Sequence, residues 1–339
     1  MRASNATLLT TATLICSALA FNPALAADAA KPQPAPQVQA QAQLPQAPQA
    51  QAPQAQAPQA QAPQAMGPAA PATKAKECPG NPDPLGVSRV VEIDTTGGPG
   101  FGFQHYKNYD FLQPKEVVLT FDDGPLPNRT TAILAALEAQ CTKATFFSVG
   151  KVAGGYPEIL RDVAKAGHTI GAHTVNHKDL SKMKFDEAKD EIERSFSIIH
   201  RAVGGPTAPF FRFPFLRDSP ETLKYLADRN IAVFSTDIDS FDFKGSKAPA
   251  LVKHVIGLLE KRGKGIILMH DIQPHTAAAM PDLLKELKAK GYKIVQLTAK
   301  APVQTLPEYD AKIESDMKGM PTALSDRPIT SVIKTISGQ

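Results

Sequence analysis

Glu116-Val117-Val118-Leu119-Thr120-Phe121-Asp122-Asp123-Gly124 is a run of strand length that stops at two adjacent carboxylates and a turn glycine. What surrounds it decides the fold. Asn128 is placed to cap a helix through Ile133, Leu134 and Leu137 to Gln140, and Ala144–Val149 reads as a second strand. A helix over 157–166 follows, ended by Gly167 in the way glycine ends helices. Residues 185–201 form an amphipathic helix with Ala188, Ile192, Phe196 and Ile199 on one face. The alternation continues with strands at 210–213, 231–235, 265–269 and 293–297. The helices between and after them are expected at 220–228, 249–261 and 281–290. Repeated strand–helix units imply a parallel sheet covered by helices. Their number suits a closed or partly closed (β/α) barrel, where chemistry gathers at the C-terminal strand ends.

Five stretches lie at or just past such ends: Thr120–Gly124, His173–His177, Arg212–Phe215, Asp239–Phe243 and Leu268–His270. His173 and His177 are four residues apart, which on a helical turn points both imidazoles the same way. A carboxylate oxygen of Asp123 completes a His-His-Asp ligand set with positions left open for water and substrate. Asp122 cannot point the same way on an extended segment, so it is the spare carboxylate, placed to take a proton from water. Arg212 can orient Asp122 through a fork of hydrogen bonds. His270 emerges from a buried-looking strand as a proton donor, and Asp242 can keep it charged and correctly turned. Asp271 beside it is either a helper or a turn residue. Taken alone, a His pair or an Asp-Asp-Gly-Pro turn is ordinary structure; the ordered set carries the reading.

The rest of the chain bounds the function. It has 339 residues, 42% hydrophobic, a net charge of +4 and no Trp. No Lys/Arg cluster is interleaved with aromatics, so nucleic acid is excluded as a partner. Residues 1–26 read as a secretory signal, with an apolar stretch too short to span a bilayer and a cleavage site at Ala24-Leu25-Ala26. The chain is therefore expected to be exported, to the periplasm or outside the cell, with no stable membrane insertion after cleavage. Residues 27–77 form a Pro/Gln/Ala-rich linker with too little apolar surface to fold. The barrel is expected over 78–300 and a polar tail over 301–339. Cleavage leaves Cys78 and Cys141, as one disulfide or two separate buried thiols. Gly97-Gly98-Pro99-Gly100 lacks the Lys-Ser/Thr ending of a phosphate loop and reads as a turn.

From about Tyr106 to Thr298 the chain resembles the polysaccharide deacetylases, the NodB-homology group of carbohydrate esterases. The five stretches match the family's motifs in family order. The resemblance implies a distorted (β/α) barrel, a divalent metal (usually zinc) and removal of acetyl groups from sugars. Carried over, Asp122 is the general base, Asp123, His173 and His177 bind metal, and His270 is the general acid. Leu268 then helps form the pocket for the acetyl methyl. Two motifs depart. Arg212-Phe213-Pro214-Phe215 stands where the family usually has Arg-Pro-Pro-Tyr, which leaves the Phe215 backbone N–H to serve the oxyanion. Asp242-Phe243 stands where Asp-Trp is usual, so a smaller ring at Phe243 reshapes the groove wall.

The expected reaction is N-deacetylation of N-acetylglucosamine polymers or oligomers, chitin-like chains or peptidoglycan glycan. O-deacetylation passes through the same intermediate and is the near alternative. A non-catalytic glycan-binding barrel would have lost the base, a ligand or the acid, and all are present. Phosphoryl transfer would want a site richer in oxygen ligands.

Overall fold

The computed structural model describes residues 78–317. The expected signal (1–26), the Pro/Gln/Ala linker (27–77) and the end of the tail (318–339) lie outside the described residues. In chain order the elements are β1 (Arg89–Ile93), β2 (Gly100–Phe101), β3 (Glu116–Asp122), α1 (Thr130–Ala139), β4 (Thr145–Ser148), α2 (Gly150–Gly155), α3 (Pro157–Lys165) and β5 (Thr169–Ala172). Then come α4 (Phe185–Val203), β6 (Phe210–Phe211), α5 (Pro220–Asp228), β7 (Ala232–Phe234), β8 (Ile238–Asp239), α6 (Ala248–Arg262), β9 (Gly265–His270), α7 (Pro274–Ala289), β10 (Lys293–Ala299) and α8 (Pro307–Met317).

Every strand pairing is parallel. β3 pairs with β4 and β9, and the ladder continues from β4 through β5 and β6 to β7. β8 pairs with β9. Only Ser235, Thr236 and Asp237 separate β7 from β8, so one kinked segment joins the β6 side to the β9 side and closes a distorted (β/α) barrel. The kink is fastened by Thr236 Oγ1 and Asp237 N–H, which donate to Ile266 O at 2.9 and 2.9 Å. β10 sits beside the first residues of β3, and β1 lies outside it.

Residue parity sorts the side chains. Val117, Leu119 and Phe121 join the large cluster beneath the helices, with Ile133, Leu283 and Leu287. Val118 faces the smaller inner cluster with Phe147, Phe210, Phe234 and Ile266. Successive strand residues point to opposite faces, so Thr120 and Asp122 follow Val118 inward, and Leu268 and His270 follow Ile266. By the same count His173 follows Gly171, and Arg212 follows Phe210. The interior is crowded at Gly171: a Cβ there would stand 2.6 Å from Phe210 O and 3.0 Å from the Phe147 ring.

Several boundaries differ from expectation. The first helix starts at Thr130, not at a cap on Asn128, which has φ 63°. Thr130 Oγ1 instead accepts from Leu126 N–H and donates to Asp271. α7 starts at Pro274 and carries Pro281 inside it; burial of Ala279, Met280, Leu283, Leu284 and Leu287 outweighs the lost hydrogen bond. The tail is not wholly irregular. α8 packs on α4, with Ile313 buried and Lys312 paired to Asp190 at 2.7 Å. No helix among the described residues is long and apolar enough to cross a membrane.

Cys78 and Cys141 form a disulfide across a sequence separation of 63 residues, tying the start of the domain to the end of α1. Closing a loop of that length removes much denatured-state entropy. The Cys78→Ser/Cys141→Ser protein is expected to be less stable by ~2–4 kcal/mol. That appears as a lower denaturant midpoint, with a steeper slope because the opened denatured chain exposes more surface.

Candidate metal centre and active site

Asp122 ends β3 with its side chain inside the barrel and 2% of its surface exposed. Its Oδ1 accepts from Arg212 Nη1 at 2.7 Å, while Oδ2 lies 3.9 Å from His173 Nε2. One oxygen is thus anchored and the other is turned toward the imidazoles. Arg212 is fully buried. Nη1 also donates to Thr120 Oγ1 (2.8 Å), Nη2 to Ser235 O (2.9 Å) and Nε to Phe234 O (3.3 Å). The last two are the carbonyls at the β7–β8 kink. The guanidinium also lies over the Phe147 ring, 4.3 Å from its centroid. Burial lowers the pKa of Arg212, with Asp122 pulling the other way; an arginine stays charged here.

Asp123 leaves the strand with φ 81°, which swings its carboxylate away from the direction of Asp122. The turn is held from both sides, by β4 and by the residue that follows β9. Asp123 N–H donates to Phe147 O (3.1 Å), Gly124 N–H to Asp271 Oδ1 (2.8 Å), and Thr130 Oγ1 to Asp271 Oδ2 (2.6 Å). Gly124 is required because a Cβ there would land 2.0 Å from Asp271 Oδ2. Burial lifts the Asp271 carboxyl to about 7, against the hydrogen bonds from Thr130 and Gly124.

His173 follows β5. Its Nδ1 bonds to Arg212 O at 2.7 Å, which fixes the tautomer and leaves Nε2 as the electron-pair donor. Burial, against Asp122, lowers its pKa to about 4, so the ring is neutral at pH 7 as a metal ligand must be. His177 does not reach the same place by a helical turn. Residues 173–177 are an irregular loop in which Thr174 (φ 64°) and His177 (φ 53°) are both left-handed. The loop nevertheless brings the rings together, with centroids 5.0 Å apart.

The three ligand atoms converge. Asp123 Oδ1 is 3.5 Å from His173 Nε2 and 3.4 Å from His177 Nε2, and the donor atoms of all three residues lie within 4.8 Å of one another. These separations are too long for hydrogen bonds. They match the roughly 3.3 Å between ligand atoms that each sit ~2.0–2.2 Å from a tetrahedral ion. Asp123 Oδ1 is buried and has no hydrogen-bond partner, an expensive state for a carboxylate oxygen that a cation relieves. The donor set therefore fits a metal ion. Burial works against the Asp123 charge, but His177, His270 and His173 outweigh it and hold its pKa below the usual value.

His270 pairs in register with Asp122 across β3 and β9. Its Nδ1 and backbone N–H bond to the two oxygens of Asp242 at 2.6 and 2.7 Å, and Thr276 Oγ1 donates to the same carboxylate at 2.6 Å. Burial opposes charge on the imidazole, but Asp242, helped by Asp123 and Asp122, raises its pKa to about 10. Leu268 stands inward two residues earlier, 5% exposed and paired with Thr120 and Asp239. Two exposed rings flank the mouth. Phe215 packs edge-on against His177 (4.8 Å) and Phe243 edge-on against His270 (5.8 Å). Phe215 has φ 58°, and its N–H makes no hydrogen bond among the described residues.

All seven polar residues singled out in the sequence meet at this mouth. The sequence reading does not single out Thr120, Thr276 or Glu191, and it takes Asp271 as either a helper or a turn residue. Strand parity was a usable signal for Thr120, two residues before Asp122. Glu191 lies within a helix and carried none.

The family model for polysaccharide deacetylase matches residues 111–234. A peptidoglycan-N-acetylglucosamine deacetylase of Bacillus cereus is 33% identical over 186 residues, 54% of this chain and 66% of that protein. A chitooligosaccharide deacetylase of Azorhizobium caulinodans is 30% identical over 196 residues, 56% of this chain and 92% of that one. Among solved structures, a peptidoglycan deacetylase of Bdellovibrio bacteriovorus superposes with a TM-score of 0.57 at 36% identity, over 63% of this chain and 59% of its own. The chain thus covers less than two thirds of the Bacillus and Bdellovibrio proteins.

Replacing Arg212 isolates the buried pair. Arg212→Met leaves the Asp122 carboxylate and the two kink carbonyls without their donor, and is expected to lower stability by on the order of 3–5 kcal/mol. Arg212→Lys restores the charge but not the planar fork and should recover only part of that loss in denaturant titrations.

Proposed function

Because this chain belongs to the polysaccharide deacetylase family, we propose that it is a metal-dependent deacetylase that hydrolyses the N-acetyl groups of N-acetylglucosamine-containing glycans. The observation that carries the reading is the buried, unpartnered Asp123 Oδ1 facing two imidazole Nε2 atoms. A carboxylate anchored by arginine and an imidazole held by a second carboxylate flank it. Two imidazoles and one carboxylate suit Zn2+.

A cation held by Asp123, His173 and His177 supplies Lewis-acid polarisation of the acetyl carbonyl and acidifies a water. The chain's own groups do the rest. Asp122, with one oxygen fixed by Arg212, accepts the proton of the attacking water through the other. The free Phe215 N–H donates to the oxygen that becomes negative. Leu268 borders the acetyl methyl. Asp242 keeps His270 protonated and turned by its Nδ1, so that Nε2 gives its proton to the departing amine. Phe215 and Phe243 offer apolar faces to the sugar on either side of the mouth. The Cys78–Cys141 disulfide supports export to an oxidising compartment, where a glycan substrate would be met.

The direct test is acetate release from a panel of N-acetylated and O-acetylated glycans by metal-stripped protein, before and after adding Zn2+. Zn2+-dependent release from the N-acetylated members is expected. Release from the O-acetylated members alone would replace the amide reading by an ester one, and no release from either would end it. Asp122→Asn and His270→Ala should each lower kcat by ~10²–10⁴-fold with bound Zn2+ unchanged by elemental analysis, whereas His173→Ala should lose the metal.

The pH dependence follows from His270. Its acid form is the active one and persists below its pKa, which Asp242 raises. Asp242→Asn removes that support, so the alkaline limb of kcat/KM should move to lower pH by ~1–3 units. A limb that stays in place would assign it to another group.

A further inference from the structure

His177 approaches the cluster from a loop, so its position depends on whatever holds residues 174–177. Three of that loop's N–H groups and two of its carbonyls have partners. The carbonyls of Thr174 and Val175 accept from Gly150 and Lys151 N–H at 2.8 and 3.0 Å, at the start of α2. His177 N–H donates to Thr174 Oγ1 at 3.0 Å. The N–H groups of Val175 and Asn176 both donate to Glu191 Oε2, at 3.0 and 2.9 Å, and the Asn176 side-chain amide donates to Oε1 at 2.8 Å. Glu191 lies on α4 and is only 5% exposed. Lys178 Nζ lies 3.4 Å from Oε1.

Two non-glycine residues in left-handed backbone within four positions cost of order 1–3 kcal/mol each and persist only where the surroundings over-determine them. Among the described residues, Glu191 is the only side chain from outside the loop that binds its backbone N–H groups, and it does so through charge-assisted bonds, the stronger kind. We propose that Glu191 is a positioning residue for the cation site: by gathering the Val175 and Asn176 N–H groups it sets where His177 Nε2 stands relative to His173 Nε2 and Asp123 Oδ1. The proposal rests on the reading of those three residues as cation ligands.

Glu191→Gln keeps one acceptor oxygen for the two N–H groups but turns an NH2 toward the Asn176 amide. Glu191→Ala leaves both N–H groups unpaired. Glu193 is the internal control. It is equally buried on the same helix but binds Tyr225 Oη (2.6 Å) and Arg229 Nε (2.8 Å), away from the loop.

The test titrates the metal-free full chain with Zn2+ against a chromophoric chelator, and records the visible spectrum with Co2+ in the same site. Zn2+ binding is expected to weaken ~10–100-fold in Glu191→Ala, less in Glu191→Gln, with shifted Co2+ bands in both. Glu193→Gln should keep the parent's affinity and spectrum even if its Tm falls. Should the alanine variant not fold, the glutamine variant decides alone. Zn2+ affinity within ~3-fold of the parent, well short of the usual effect of an outer partner, with an unshifted Co2+ spectrum would overturn the proposal. Equal weakening in Glu193→Gln would overturn it too, because helix loosening would then account for the effect. A parent protein that binds no Zn2+ removes the cation reading itself, a failure visible before any variant is compared.

Discussion

A guanidinium inside a sheet barrel stays there only by virtue of what it binds, since desolvating it costs several kcal/mol. Arg212 donates from all three of its nitrogens. Nη1 meets Thr120 and the Asp122 carboxylate, while Nη2 and Nε meet the carbonyls of Ser235 and Phe234. Those carbonyls belong to the kink at which the chain passes from β7 to β8. The same side chain therefore satisfies the irregular backbone that closes the barrel and fixes one oxygen of the proposed base. Its own backbone carbonyl also receives His173 Nδ1. Barrel closure, base orientation and the tautomer of one imidazole all pass through one residue, so the site cannot be assembled in a barrel that is not closed.

Around this strut, burial and charge are distributed unequally. His173 is neutral because it is buried, and a neutral imidazole has a free electron pair. His270 is somewhat more exposed, its side chain 13% against 3% for His173, and it faces Asp242, whose carboxylate wins over burial. Two histidines at one mouth thus sit in opposite protonation states at neutral pH, one suited to hold a cation and the other to give up a proton. Asp242 is in turn held below the usual carboxylate range, where its own burial is outweighed by His270. The ligand turns are fixed from outside by two further carboxyl groups, Asp271 under Gly124 and Glu191 under Val175 and Asn176. A site in which two of the three candidate ligands, Asp123 and His177, stand on left-handed backbone needs such supports, because the local chain does not favour that geometry.

Much of this was legible from the order of residues. Runs such as Glu116–Thr120 and Gly265–Met269 declare buried strands by their apolarity, and the helix over Pro220–Asp228 could be placed to the residue. Short elements were not legible. β5 is Thr-Ile-Gly-Ala, too brief and too glycine-rich to signal a strand, and its glycine is explained only by Phe147 and Phe210 filling the interior. α8 reads as polar tail because it buries little more than Ile313 against α4. The spacing of His173 and His177 suggested a helical turn. The loop that replaces it is stabilised by Glu191 and by the start of α2, neither of which is near it in the helix period.

What the sequence by itself determined was the inventory and the faces: which acids, bases and ligands exist, that they fall at strand ends, and, through the two-residue period of a strand, which of them point inward. Pattern suffices there because side-chain direction on a strand is a local property. Tertiary structure alone decided how the inward groups meet. The closure of β7 onto β8 under Arg212, the protonation contrast between His173 and His270, and the capture of two left-handed turns by Asp271 and Glu191 all depend on distances between residues far apart in the chain. Hydrogen bonding and desolvation act through space, and only the folded barrel sets those distances.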